Sequence, residues 1–220
     1  MTKYNGRCNQ YNGRCNVGVM TTERSPRLAV VTGSTRPGRR STLVAKWVRD
    51  RAETHLGNRA DIAVVDLADL KLPLLDEPLP AAIGEYRNPH TKRWARLVGS
   101  FDGFVFVTPE YNHSMPAALK NAIDFLFAEW NDKAAGFVSY GLNGGTRAVE
   151  HLRLTLAEVK VACVRSQVAL GLFTDFDIPD MSDPGTLTPA EHHDAILTRM
   201  IDELVDWSTA LRPLRDRTAS

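Results

Sequence analysis

The chain lacks most of what would tie it to a membrane, a polyanion or an oxidising compartment. It has three cysteines in 220 residues, two of them in an atypical N-terminal stretch. The third, Cys163, sits in the apolar setting Val161-Ala-Cys-Val164 and reads as a small core hydrophobe. That usage fits a reducing, cytoplasmic setting. Charge of one sign is scarce too: a formal net charge of +1 leaves no electrostatic footprint for nucleic acid or an anionic membrane. No apolar run approaches the roughly 20 residues that span a bilayer. The N-terminus has no apolar stretch of the kind a secretory leader carries. Two phosphate fingerprints are also missing. Positions 33, 35 and 38 read Gly, Thr, Gly, which breaks Gly-x-Gly-x-x-Gly, and the loop has no Gly-Lys-Ser/Thr ending.

What remains is ordinary for one globular domain. The chain is 43% hydrophobic and 24% charged, and long enough to bury a full core without metals or disulfides. Residues 1–26 stand apart. Tyr4-Asn-Gly-Arg-Cys-Asn9 recurs as Tyr11-Asn-Gly-Arg-Cys-Asn16, a polar, turn-prone repeat without periodicity, so a disordered tail is expected. Cys8 and Cys15, seven apart with no histidine nearby, are a weak metal signal, and no metal site is expected. Met20 is a candidate translation start, because the residues after it form a normal lead into the first strand. The folded domain is expected over 27–212, with 213–220 a C-terminal tail.

The rest is organised around Leu28-Ala-Val-Val-Thr-Gly-Ser-Thr-Arg-Pro-Gly-Arg-Arg-Ser41. An apolar strand breaks at Gly33 into a loop of small hydroxylated residues, and a helical pattern starts at Ser41. Free N–H groups and the positive end of the helix dipole then face the loop. Ser34, Thr35 and Ser41 add hydroxyls, and Arg36 adds a planar guanidinium suited to phosphate. The pattern favours one phosphate group, as in a mononucleotide. The alternative is a plain strand–helix turn with Ser41 as N-cap and Arg39 and Arg40 in solvent.

Along the chain, Leu43, Val44, Trp47, Val48, Ala52 and Leu56 make one helical face, ended by Gly57-Asn58. A short buried strand is expected at 60–66, then a proline-rich wrapping loop to Gly84. Asp76 and Glu77 within it read as a solvated turn rather than a catalytic pair. A helix over 91–99 leads to an apolar strand at 101–108. Alternating strands and helices imply right-handed crossovers and an open doubly wound sheet, whose ligands bind outside the carboxyl ends of the strands.

The loop at that end reads Pro109-Glu-Tyr-Asn-His-Ser-Met-Pro116. Pro116 suits the first turn of a helix, with Ser114 as N-cap. The helix is expected over 115–130, and Phe125, Phe127 and Trp130 either cover its own sheet or offer a second apolar face. Tyr111 suits flanking a planar heterocycle. A third strand ends at Ser139-Tyr-Gly-Leu-Asn-Gly-Gly145, where Gly141, Gly144 and Gly145 allow close backbone approach to a flat ligand. A helix over 146–160, a strand over 163–170, a polar loop over 173–185 and a terminal helix opened by Pro189 complete five strands and about five helices.

Three motifs in this order and spacing, Gly33-Ser-Thr-Arg-Pro-Gly-Arg-Arg-Ser41, Pro109-Glu-Tyr-Asn112 and Ser139-Tyr-Gly141 with Gly144-Gly145, resemble the NADPH-dependent FMN reductase family, which includes flavodoxin-like quinone, azo-dye and chromate reductases. The resemblance spans about 27–170. It implies a flavodoxin-like, doubly wound five-stranded parallel sheet with helices on both faces. It also implies bound FMN with NADPH or NADH as hydride donor, a small-molecule electron acceptor, and a homodimer or homotetramer. By the family pattern Ser34, Arg36 and Ser41 bind the phosphate. Pro109, Glu110, Tyr111 and Asn112 border the isoalloxazine, and Ser139, Tyr140 and Gly141, with Gly144 and Gly145, close the other side. Leu142 stands where many relatives have a small residue.

On that reading the cofactor does the redox work and no side chain need act as acid or base. His113 is a tempting proton donor, but a histidine before a helix more often serves as a supporting or interface residue. Tyr140 is equally open to a packing role. Three function classes stay open: an FMN oxidoreductase with ping-pong turnover, a flavin reductase supplying exchangeable FMN to a partner monooxygenase, and a non-redox phosphate-ligand binder.

Overall fold

Five apolar runs become one sheet. In the computed structural model, which describes residues 24–218, the strands are β1 (Arg27–Thr32), β2 (Asp61–Asp66), β3 (Gly103–Pro109), β4 (Ala134–Gly141) and β5 (Ala162–Gly171). Their order is β2-β1-β3-β4-β5 and every neighbouring pair is parallel. This is the flavodoxin-like doubly wound arrangement. The chain steps from β1 to one side and then crosses to the other, so the β1 and β3 ends flank the switch point. Every residue of β3 is buried, as expected of a central strand covered on both faces.

The two faces have separate cores. On one, α1 (Ser41–Leu56) and α6 (Glu191–Ala210) place Val44, Val48, Leu197, Met200 and Leu204 against Val30, Val105 and Val138. On the other lie α3 (Pro89–Gly99), α4 (Ala117–Asp124) and α5 (Thr146–Glu158), after the one-turn α2 (Leu67–Leu70). Trp94, Leu119 and Leu152 pack there with Phe104, Phe106 and Phe137 of the sheet.

Several expectations need correction. The helix after the second motif is α4, half the expected length. Beyond Asp124 the aromatic pattern continues but the helix does not. The Trp130 indole donates to Ile123 O at 3.1 Å, taking one of the carbonyls that end the helix and drawing the chain back. Phe125 and Trp130 are fully buried over their own sheet, so they offer no second apolar face. Pro116 takes the N-cap place with extended backbone, not the first turn. Ser114, two residues earlier, does not cap: the hydroxyl meets His151 Nδ1 at 2.9 Å.

The expected C-terminal tail is mostly α7 (Arg212–Thr218), docked on the sheet's far end. Arg215 there bonds Asp132 O, Ser208 O and the Asp102 carboxylate. Residues 24–26, expected in the N-terminal tail, are tied down too, Arg24 by Asp102 and Ser25 by Asn58 O. The polar loop after β5 contains a two-stranded antiparallel hairpin, β6 (Phe176–Asp177) and β7 (Thr186–Leu187). The hexapeptide repeat, Cys8, Cys15 and Met20 lie outside the described residues. Among those described, no helix is long and apolar enough to cross a membrane. Burial pushes the Cys163 thiol up to about 11, as suits an inert, part-buried side chain.

Candidate functional site

The first loop is anchored to the neighbouring strand end. Gly33 N donates to Val107 O at 2.8 Å, and an added Cβ there would lie 2.9 Å from Leu119 Cδ2. Ser34 follows, fully buried, its Oγ 2.8 Å from the Tyr111 hydroxyl. The next four residues are exposed, Gly38 with φ +65°. Then α1 starts. Ser41 is its first helical residue rather than its cap; Arg40 stands at the N-cap and no side chain caps the helix. Ser41 Oγ is buried and makes no direct hydrogen bond, although it lies near enough to the Tyr140 hydroxyl to bias its titration. A 16-residue helix that begins uncapped beside a buried, underused hydroxyl suits an anion.

The two arginines before Ser41 are not in solvent. Arg39 pairs with Asp66 at 2.5 Å. The same carboxylate accepts from the Thr32 hydroxyl at 2.7 Å and from Ala68 N at 3.0 Å. Burial works to raise the Asp66 pKa, but these partners outweigh it and hold the carboxyl below its ordinary value. Arg40 is buried, and donates to Asp183 O at 3.0 Å. The sequence carried a signal for the Asp66 network that the loop motif hid: Thr32 and Asp66 end adjacent strands in register.

The second loop is a tight turn. Tyr111 and Ser114 exchange backbone hydrogen bonds of 2.9 and 3.1 Å around Asn112 and His113. Those two residues have φ of 47° and 73°, the signature of a two-residue turn of type I′. Asn112 is exposed on it. His113 Nδ1 lies 3.1 Å from Arg147 Nη1, which makes it a partner of that arginine. Glu110 is also committed. Its carboxylate pairs with the Arg147 guanidinium and accepts Arg147 N at 3.2 Å, joining the second loop to the start of α5.

In the third loop, Ser139 is buried and donates to Gly144 O at 2.6 Å, bracing the turn from inside. Gly144 and Gly145 are buried with φ near +70°, and a Cβ on Gly145 would lie 2.8 Å from Tyr140 O. The fold itself demands these two glycines. Gly141 differs: an added Cβ would meet Gly145 N at 3.4 Å and Glu110 Cβ at 3.5 Å, ordinary contact distances. Tyr140 is buried against Phe176, ring centroids 5.8 Å apart. Burial pushes its phenol upward.

Part of the sequence-derived set converges. Arg36, Pro109, Glu110, Tyr111, Tyr140 and Gly141 line one cleft of about 210 Å³ at the carboxyl ends of β1, β3 and β4. Ser34, Ser41, Ser139, Gly144 and Gly145 are buried residues outside this lining, and Asn112 sits outside it in solvent. Gly38, Arg39, Arg40 and Leu142 of the same loops also line it, and so do Leu172 and Met181, which were not expected because no loop motif includes them. The volume is below the roughly 300 Å³ of ordinary small-molecule sites, so a flat ring system would lie partly across the open mouth. A larger hollow of 490 Å³ runs along α1 and β7 and holds none of the candidate residues. The switch-point cleft is the better site, because ligands of open parallel sheets bind at the carboxyl ends of the strands.

Comparison with known proteins bears on the family and the fold. Residues 26–175 match the profile of the NADPH-dependent FMN reductase family. An NAD(P)H-dependent FMN reductase of Schizosaccharomyces pombe is 39% identical over 164 residues, 73% of this chain and 80% of that protein. A quinone reductase of Pseudomonas putida is 30% identical over 189 residues, 82% of this chain and 93% of its own. In fold, the chain is similar to the flavoenzyme NAD(P)H:(acceptor) oxidoreductase FerB from Paracoccus denitrificans, with a TM-score of 0.64 at 22% identity over 84% of this chain and 98% of that one. Sequence motifs, profile and relatives therefore converge, and this chain belongs to the NADPH-dependent FMN reductase family, a family of oxidoreductases.

Proposed function

We propose that the chain passes hydride equivalents from NADPH or NADH through FMN to a small oxidant at the switch-point cleft. The observation that carries this reading is the uncapped N-terminus of α1, with buried Ser41 Oγ unpartnered, beside a cleft lined by Tyr111, Pro109 and Gly141. Ser34, Arg36, Ser41 and the first-turn N–H groups of α1 would hold the phosphate. Tyr111, Pro109 and the chain at Gly141 would flank the ring. FMN, when bound, supplies hydride acceptance and onward electron transfer. The protein's part is orientation, and any backbone N–H group that faces the ring would stabilise negative charge there. No side chain is assigned an acid–base role.

The named relatives, an azoreductase and a quinone reductase, support a quinone or an azo compound as acceptor, each planar enough to enter an open cleft, and chromate is carried by the family resemblance alone. The cysteine usage supports a cytoplasmic setting, and the family resemblance supports a homodimer or homotetramer. The small cleft volume favours a second reading, in which FMN exchanges freely and serves as a substrate for a partner monooxygenase.

Steady-state kinetics test the proposal. With bound FMN, double-reciprocal plots against NADPH and a quinone run parallel. Saturable dependence on added free FMN would select the exchangeable reading. No NAD(P)H oxidation with either addition would contradict both.

A further inference from the structure

Arg40 is the unexplained charge of the site. It lines the cleft, and only 7% of it is exposed. Its single direct hydrogen bond is to a neutral acceptor, Asp183 O, at 3.0 Å. Its Nε is buried without a partner. Among the described residues no carboxylate pairs with it. Arg39, the residue before, has Asp66, and Arg36 is exposed to solvent. A guanidinium held out of water without an anion is costly, and such groups are normally paired. Here the missing charge is on the cleft side, next to the uncapped start of α1 and the unpartnered Ser41 hydroxyl.

The element that keeps Arg40 in place is the β6–β7 hairpin. Its connection lies across the first loop: a Cβ on Gly38 would come within 2.6 Å of Ser182 O, and Met181 reaches the cleft wall. Asp175 anchors the hairpin at its base. The carboxylate accepts from Gly171 N at 2.8 Å, Thr174 Oγ1 at 2.9 Å and Ala190 N at 3.1 Å, and Thr188 N donates to Asp175 O at 2.8 Å. The connection lies beyond the 26–175 stretch that matches the family model.

We propose that Arg40, clamped by the 176–187 hairpin, is a phosphate-discriminating residue of the flavin site: it supplies the buried cation for the terminal phosphate and makes the site choose FMN over riboflavin. This rests on the functional reading above and adds to it. Arg36, outside in solvent, attracts the phosphate; Arg40 pairs with it away from water. The hairpin has a further consequence. By fixing Arg40 and walling the cleft with Met181, it slows the release of flavin, which moves the protein from the exchangeable towards the bound class.

The test is equilibrium binding of FMN and of riboflavin, followed by flavin fluorescence, to the parent and to Arg40→Gln. Glutamine keeps an N–H for Asp183 O but carries no charge. FMN affinity should fall by about tenfold or more, with riboflavin within about twofold, since a charge-assisted bond is lost only for the phosphate. Circular dichroism and the urea midpoint check the fold; should Arg40→Gln fail to fold, Arg40→Lys keeps the test alive, with an intermediate FMN preference expected from a point charge. In a second variant, residues 178–185 are replaced by Asn-Gly, and FMN should dissociate faster. A parent that prefers FMN, with a folded Arg40→Gln variant keeping the same preference, overturns the assignment alone. A parent that binds neither flavin overturns the functional reading and this assignment together.

Discussion

The Ser34 Oγ and the Tyr111 hydroxyl lie 2.8 Å apart, and this contact joins the two loops that flank the switch point. Ser34 is fully buried, and besides this contact its Oγ only accepts a longer bond from Arg36 N, at 3.4 Å. Tyr111→Phe is expected to lower stability by about 1–2 kcal/mol, the usual consequence of stranding a buried hydroxyl. A urea unfolding midpoint measures it. An unchanged midpoint would mean that the bond Ser34 Oγ already accepts from Arg36 N, 3.4 Å long here, is enough to satisfy it.

Gly141 and Gly145 should separate ligand approach from fold. Gly145→Ala forces a side chain into a left-handed backbone and towards Tyr140 O, so a stability loss of about 1–3 kcal/mol is expected. Gly141→Ala has room and should unfold within about 0.5 kcal/mol of the parent. Its flavin affinity should fall all the same. Normal flavin affinity in Gly141→Ala would mark that glycine as a turn residue only.

Arg36 is exposed, so its contribution to phosphate binding is screened. Arg36→Ala should weaken FMN binding by about 1–2 kcal/mol, with the effect shrinking at high salt. Titrations at low and high ionic strength check this. Salt-independent loss would place Arg36 deeper than it lies here.

Lys133 sets a pH dependence at the opposite end of the sheet. Burial, helped by the nearby Arg215 charge, lowers its pKa from 10.5 to about 7, and its Nζ donates to Val98 O at 2.7 Å. Between those two values the unfolded chain binds more protons than the folded one. Stability should therefore rise with pH across that window through this group. Lys133→Met removes that slope. Urea midpoints at pH 7.0 and 9.5 should show a clearly smaller gain for the variant. An equal gain in both would assign the slope to other groups.

The strands were legible because β1, β3 and β4 are apolar on both faces, a pattern that only a covered parallel sheet requires. The three motifs located the cleft because each follows a strand directly. Less was visible where long-range contacts override local pattern. Phe125 and Trp130 continue the helical spacing of α4, yet the Trp130 indole bond to Ile123 O ends the helix early. β6 and β7 are two residues each, too short for periodicity to announce them. Within the motifs, residue type did not reveal availability. Glu110 and Ser139 look like ligand residues in sequence, but one carboxylate is paired with Arg147 and the other side chain braces Gly144. Arg40 looked like a solvated surface charge and is instead buried under the hairpin.

The central claim is that this cleft holds a flavin and that NADPH reduces it there. The measurement is the visible absorption spectrum of the FMN-loaded protein after gel filtration, recorded before and after anaerobic addition of NADPH. The account predicts a flavin band that stays with the protein, bleaches on NADPH and returns when a quinone is added. A retained band that NADPH or NADH leaves unchanged would contradict it.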